Sequence, residues 1–169
     1  MSSVPEPWLR GPIPGVHPLL TPLLYAFQHA REDLEHHAGP LTDVQVWARP
    51  YDLGSVGFHL MHIAGSTDRL ISYLEGRDLT PEQMAFLAAE EERGQQSAAE
   101  LLAAIDGVFK RSEAVVRAIE PAVLSEARWV GRKRLPTTVI GLLTHTAEHT
   151  LRHVGQAISA AKLIRALTD

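Results

Sequence analysis

Apolar residues recur at helical spacing in four long stretches of the chain, and no stretch alternates long enough to predict a strand. From Thr21 onward, Leu23, Phe27, Ala30 and Leu34 share one face of a helix running to about His37, with Pro22 suited to its first turn and Gly39-Pro40 as its stop. A second helix is predicted from near Ser55 to Leu74, with Gly76 beyond its end. Thr80-Pro81-Glu82-Gln83 and Ser97-Ala98-Ala99-Glu100 both match the capping box, in which the first and fourth side chains satisfy each other's backbone amides. The first match opens a short helix. The second opens a third long helix with Leu101, Ile105, Val108, Phe109, Val115 or Val116, and Ile119 on its apolar side, ended by Pro121. The fourth long helix is predicted from near Thr137 to Ala166. Residues 41–54 read as a connection with one turn at Thr42–Val46, and residues 121–136 as a loop. The pattern predicts an all-α fold, a four-helix bundle with a short extra helix. Residues 1–18, rich in Pro and Gly, read as an extended lead-in to a single domain spanning 19–169.

The fourth helix carries His145, His149 and His153, each four residues from the next and therefore stacked on one side. A helical wheel with Leu142 at 0° puts His149 at about −20° and His153 at about +20°, and His145 at about −60°. This predicts His149 and His153 in the middle of the core-facing stripe, with His145 at its edge. In the second helix, His62 heads a semi-polar stripe with Ser55, Ser66, Arg69 and Tyr73, while His59 lies one turn earlier and off to one side. Two inward imidazoles side by side are costly unless something satisfies them, and a divalent metal does so. The ligand set read from the wheel is His62, His149 and His153, with His59 the lesser candidate. Three histidines leave coordination positions for water, thiolate or substrate, the arrangement of a catalytic site.

Composition narrows the chemistry. The chain has 169 residues, no cysteine and a formal charge of −4. Thiolate ligands and disulfides are excluded, and any thiol nucleophile must come from a co-substrate. The charge argues against general nucleic-acid binding, and no segment approaches the roughly 18 apolar residues of a membrane span. The opening MSSVPEPWLRGP lacks the apolar core of a secretion signal, so the expectation is a cytoplasmic protein with no membrane or nucleic-acid partner. His145-Thr-Ala-Glu148-His149 also matches the inverted zinc-protease motif, H-x-x-E-H. That chemistry needs a further acidic ligand downstream, and only Asp169 follows Glu148, so this reading is set aside.

The segments SVGFHLMHIAGSTDRLISYL (55–74) and HTAEHTLRHVGQ (145–156) together resemble the DinB-like (DinB/YfiT-like) family of helix-bundle metal proteins. The resemblance covers roughly residues 17–165. It maps the family's ligands onto His62, His149 and His153, followed by Gly155-Gln156, with Val154 where many members carry Arg. It implies an up-down-down-up four-helix bundle whose long crossover is residues 76–97. It also implies a divalent metal, commonly zinc or nickel, and often a homodimer. Some relatives transfer or use a low-molecular-weight thiol such as mycothiol or bacillithiol.

Two functions follow. One is a metal-dependent enzyme, a thiol-dependent transferase or a hydrolase, acting on a small-molecule substrate. In that case Arg69, Tyr73 and His145 are pocket candidates, and Arg132 and Arg134, with Arg128 and Lys133, either hold an anionic co-substrate or form a solvated loop. The alternative is a non-catalytic, metal-binding or stress-related bundle. Leu151, Val154 and Ile158 form a second apolar strip on the last helix, for another bundle helix or for a partner chain.

Overall fold

Five of the six α-helices among the described residues begin where a hydroxyl closes a free amide. A computed structural model describes residues 4–168. Helix α1 (Thr21–Ala38) carries Pro in its first turn. The single-turn α2 (Asp43–Val46) is capped by Thr42 with Gln45. In α3 (Val56–Leu74) the Ser55 hydroxyl accepts from the Phe58 amide at 3.1 Å. Both predicted capping boxes are present, at α4 (Pro81–Ala89) and α5 (Ala98–Arg117). The chain ends in α6 (Val139–Thr168). Among the described residues, no helix is long and apolar enough to cross a membrane.

The four long helices pack in a ring, α1 against α6, α6 against α3, α3 against α5, and α5 back against α1. Contacts between named residues set the directions. Arg165 of α6 donates to the His37 carbonyl at the end of α1, so these two run parallel. Phe27 stacks on Phe109 at 4.1 Å and Arg31 reaches Asp106 and Glu113, so α1 and α5 are antiparallel. His59 and His62 of α3 meet His153 and His149 of α6 in reverse order, so that pair is antiparallel too. Helices α3 and α5 are therefore parallel, and the topology is up-down-down-up. Parallel neighbours need a crossover. Here it is residues 75–97 with α4, and Trp47, ahead of α3, donates its indole N–H to the Gln96 carbonyl ahead of α5 at 2.8 Å. That bond ties together the two helix starts.

Four expectations are corrected. Residues 121–136 are not simply a loop. β1 (Ala127–Val130) pairs antiparallel with β2 (Leu135–Thr138), Trp129 opposite Pro136. Four-residue strands are too short to show alternation, and the turn needs positive φ at Gly131 (68°) and Arg134 (47°). Because Thr137 and Thr138 pair with β1, α6 starts at Val139 instead of Thr137, and Thr138 accepts from the Gly141 amide at its start. The core stripe of α6 is also rotated. With Val139, Leu142, Leu143, Ala160 and Ile164, the buried Thr146, Thr150, Val154, Ala157 and Ala161 centre it at about +60° on the wheel. Val154 is only 2% exposed and Ile158 packs against the core, whereas Leu151 is 37% exposed, so the second apolar strip is not one surface.

The crossover lands on α3 at Gly65. A Cβ there would overlap the Glu90 carboxylate and lie 2.5 Å from the Phe86 ring. Helix propensity alone favours Ala over Gly by about 1 kcal/mol, while overpacking costs about 1–3 kcal/mol. Gly65→Ala is therefore expected to destabilise the protein despite the better helix former. A denaturation midpoint at or above that of the wild type would show that α4 does not sit against this residue.

Candidate metal centre

The rotation of α6 decides what its histidines can do. His149 and His153 stand on the flank of the buried stripe, half-buried in the seam with α3, where rings can reach both protein and solvent. Opposite them, α3 presents His62 and, one turn earlier, His59. The donor nitrogens of His62, His149 and His153 all lie within 4.8 Å of one another, so the three could hold a metal ion. His62 Nε2 and His149 Nε2 are 2.9 Å apart. Ligand nitrogens on a tetrahedral zinc stand roughly 3.3 Å apart for bonds of 2.0–2.1 Å, so small ring movements would admit one.

The residue behind His62 is Glu90, which carried no distinguishing signal in the sequence. It is 2% exposed, although it begins a run of three glutamates whose other two are exposed. The C-terminal end of α4 delivers it over Gly65. Its carboxylate accepts from His62 Nδ1 at 2.9 Å and from Arg69 at 2.6 and 3.2 Å. Burial opposes its ionisation, but the hydrogen bonds from His62 and Arg69 outweigh it and hold Glu90 below the usual carboxylate range. A carboxylate at that distance keeps the imidazole proton on Nδ1, so Nε2 turns a lone pair toward His149 and His153.

Burial first, and then the neighbouring His62, push His59, His149 and His153 each down to about 4. At neutral pH these rings are uncharged, which is the state that ligates a metal. His149 Nδ1 is buried without a hydrogen-bond partner among the described residues. Either tautomer of His149 thus leaves something unsatisfied: a bare Nδ1, or two lone pairs facing each other across 2.9 Å. A cation between the Nε2 atoms removes the second cost. The donor set fits a divalent ion of the zinc or nickel type.

Other predicted residues fall elsewhere. His59 joins the row through a 3.1 Å contact between its Nδ1 and that of His153. His145 is exposed at the rim, its ring centroid 5.3 Å from that of His149. Arg69 is 7% exposed and occupied by Glu90. Tyr73 is part-buried against the core, eleven residues or about 16 Å along α3 from His62. The hairpin cations are not brought to the histidines. Arg128 donates to the Leu74 carbonyl at the far end of α3, Arg134 lies over the Trp129 ring, and Arg132 and Lys133 are exposed. Glu148 pairs with Arg152 on the outer face, which leaves the protease reading without its base. Asp169 lies outside the described residues. One residue not singled out by its chemistry closes the seam: Phe58 stacks on His62 at 5.7 Å and stands edge-on to His59 and His153.

Comparison with known proteins agrees with this geometry. None of the curated proteins matches the sequence. The family model of the DinB superfamily matches residues 26–157, which is 132 of 169 residues and includes His62, Glu90, His149 and His153. With the up-down-down-up bundle and the histidine seam both in place, the chain belongs to the DinB superfamily.

Proposed function

We propose that this protein is a metal-dependent enzyme acting on a small-molecule substrate, with zinc or nickel held by His62, His149 and His153. The observation that supports it is the meeting of three imidazoles from two helices, one of them fixed by a buried carboxylate. Bound there with positions to spare, a divalent ion supplies Lewis acidity and lowers the pKa of a water or thiol. Because the chain has no cysteine, a transferase of this kind takes its sulfur from a low-molecular-weight thiol, and a hydrolase uses water. Glu90 and Arg69 hold the proton at His62 Nδ1, and Phe58 shields the seam from bulk water. The reading places the enzyme in the cytoplasm, which suits the lack of cysteine. It also includes a homodimer, supported by a largely apolar groove between the N-terminal turn, α1 and α6 that Trp8, Tyr25 and Leu151 line.

The decisive experiment is elemental analysis and chelator competition, followed by a turnover screen with thiols and electrophiles. His149 lies off the buried stripe, so His149→Ala is expected to fold, to lose metal affinity by more than the roughly 10–100-fold typical of losing a supporting partner, and to lose turnover. Chelation that unfolds the wild type, with no turnover in any assay, would instead establish the non-catalytic, metal-stabilised bundle.

Glu90→Gln keeps an acceptor oxygen but removes the charge, and is expected to weaken metal binding roughly 10–100-fold. Wild-type affinity in this variant would remove Glu90 from the site.

Acid provides a third check. The ordinary histidine pKa is about 6.5, and burial lowers His59, His149 and His153 to about 4 in the folded chain. Between those values the unfolded chain binds more protons, so stability rises with pH. Metal-free protein should keep this contribution fully above about pH 6.5 and lose it progressively toward pH 4. Denaturation curves in chelator that coincide at pH 7 and pH 4.5 would contradict the buried neutral rings.

A further inference from the structure

Beside the histidine row, a cleft of about 340 Å³ opens between Leu53-Gly54 and the second half of α6. We propose that this cleft is the substrate chamber of the metal centre and that it takes a small carboxylate. Its use in a reaction rests on the metal-enzyme reading above, but the ligand site itself does not.

The connection to the metal centre is His59, which lines the cleft and also touches His153. When His153 gives Nε2 to a metal, its Nδ1 keeps the proton and donates to His59 Nδ1. The remaining proton of His59 then sits on Nε2, at the side of Gly54. A Cβ on residue 54 would lie 2.9 Å from that nitrogen and cover it. Gly54 has no positive φ, so its backbone does not call for glycine. That Cβ would also lie 3.1 Å from the Phe58 ring, so the missing side chain makes room for both rings and leaves His59 Nε2 uncovered.

Gly155 argues the same way from the opposite wall. It sits inside the 30-residue α6, where glycine costs about 1 kcal/mol relative to alanine. Its φ is not positive, and a Cβ there would meet nothing within 4 Å. Neither backbone nor packing therefore requires glycine, whereas a side chain would project into the cleft. Three polar side chains at the cleft can donate into it, those of Arg152, Gln156 and His59, while the Ser159 hydroxyl already donates to the Gly155 carbonyl at 2.9 Å. Arg152 uses Nε and Nη2 on Glu148, which leaves Nη1 without a hydrogen bond among the described residues. The Gln156 amide is exposed one helical turn further on. Donors from Arg152, Gln156 and His59, set against apolar Leu53 and Ala160, match an anionic acceptor with a short apolar body. The volume falls at the lower end of the roughly 300–1,000 Å³ of small-molecule sites, which excludes a folded partner.

Benzoate is a suitable probe, with benzylammonium as its cationic counterpart, titrated into metal-loaded and metal-free protein and followed by amide chemical shifts. Benzoate is expected to move the Gly54, Gly155 and Gln156 amides saturably, and benzylammonium to leave them in place. Gly155→Leu should fill the cleft and weaken benzoate at least tenfold, while the melting temperature and metal affinity stay at or above those of the wild type. Gly155→Ala, the smaller change, supports the same comparison if the leucine variant fails to fold. Benzoate binding that is absent, that maps to other amides, that is unchanged in both variants or that benzylammonium equals would overturn the proposal. Wild-type protein that takes benzoate in this cleft but no metal would retain the ligand site and dismiss the metal-enzyme reading. A metal-loaded protein without benzoate binding would do the opposite.

Discussion

Neutrality of His59, His149 and His153 is the constraint on which the site depends. His59, His153, His62 and His149 follow one another across the α3–α6 seam with ring centroids 5.3, 4.4 and 5.1 Å apart. A proton on one ring is opposed by desolvation and by any charge on the next. Uncharged rings escape that repulsion but must still satisfy two nitrogens each. Glu90 serves His62, His59 and His153 serve each other, and His149 has one nitrogen without a partner. The seam is therefore stable as a fold and incomplete as a hydrogen-bond network.

Most of the bundle was legible because caps and periodicity agree with packing. The predicted starts of α3, α4 and α5 coincide with hydroxyl caps that close real amides. The same periodicity put the histidines of α6 in the right neighbourhood but at the wrong depth. Small residues such as Thr146, Thr150, Ala157 and Ala161 define the buried stripe. Such residues weigh little on a wheel, so Leu142 and the histidines pulled its apparent centre toward themselves. The hairpin was invisible because each strand is four residues long and half its side chains face solvent.

Glu90 shows a different limit. Nothing local separates it from Glu91 and Glu92, because its burial is decided by where the crossover lands. That landing depends on α3 and α5 running parallel, which obliges the chain to traverse the bundle and pass α3 at Gly65. Arg69 was visible on the His62 stripe, but its role was not. A lone arginine beside a metal site reads as a substrate clamp until a buried carboxylate is found to occupy it. A buried charge is costly unless paired, so Arg69 and Glu90 each account for the other's presence.

The same pairing sets the electrostatic character of the centre. Among the described residues, Glu90 carries the one acidic side chain hydrogen-bonded to the triad, and Arg69 forks onto that carboxylate, so the pair contributes no net charge. Imidazoles ligate a metal in their neutral form, so the three candidate ligands would bring no charge of their own to a bound ion. A dication held there would keep nearly its full charge in a half-buried seam, where attraction for an anion exceeds its value in bulk water. Thiolate, hydroxide and carboxylate are the ligands such a centre favours. Arg152 is paired with Glu148, but its free Nη1 and the other donors at the cleft beyond His59 would share that preference, so a loaded metal centre and the proposed cleft would favour one sign of charge from two directions. A substrate whose carboxylate occupies the cleft would present its remaining atoms along the row from His59 to His153, toward the positions that three histidines leave open.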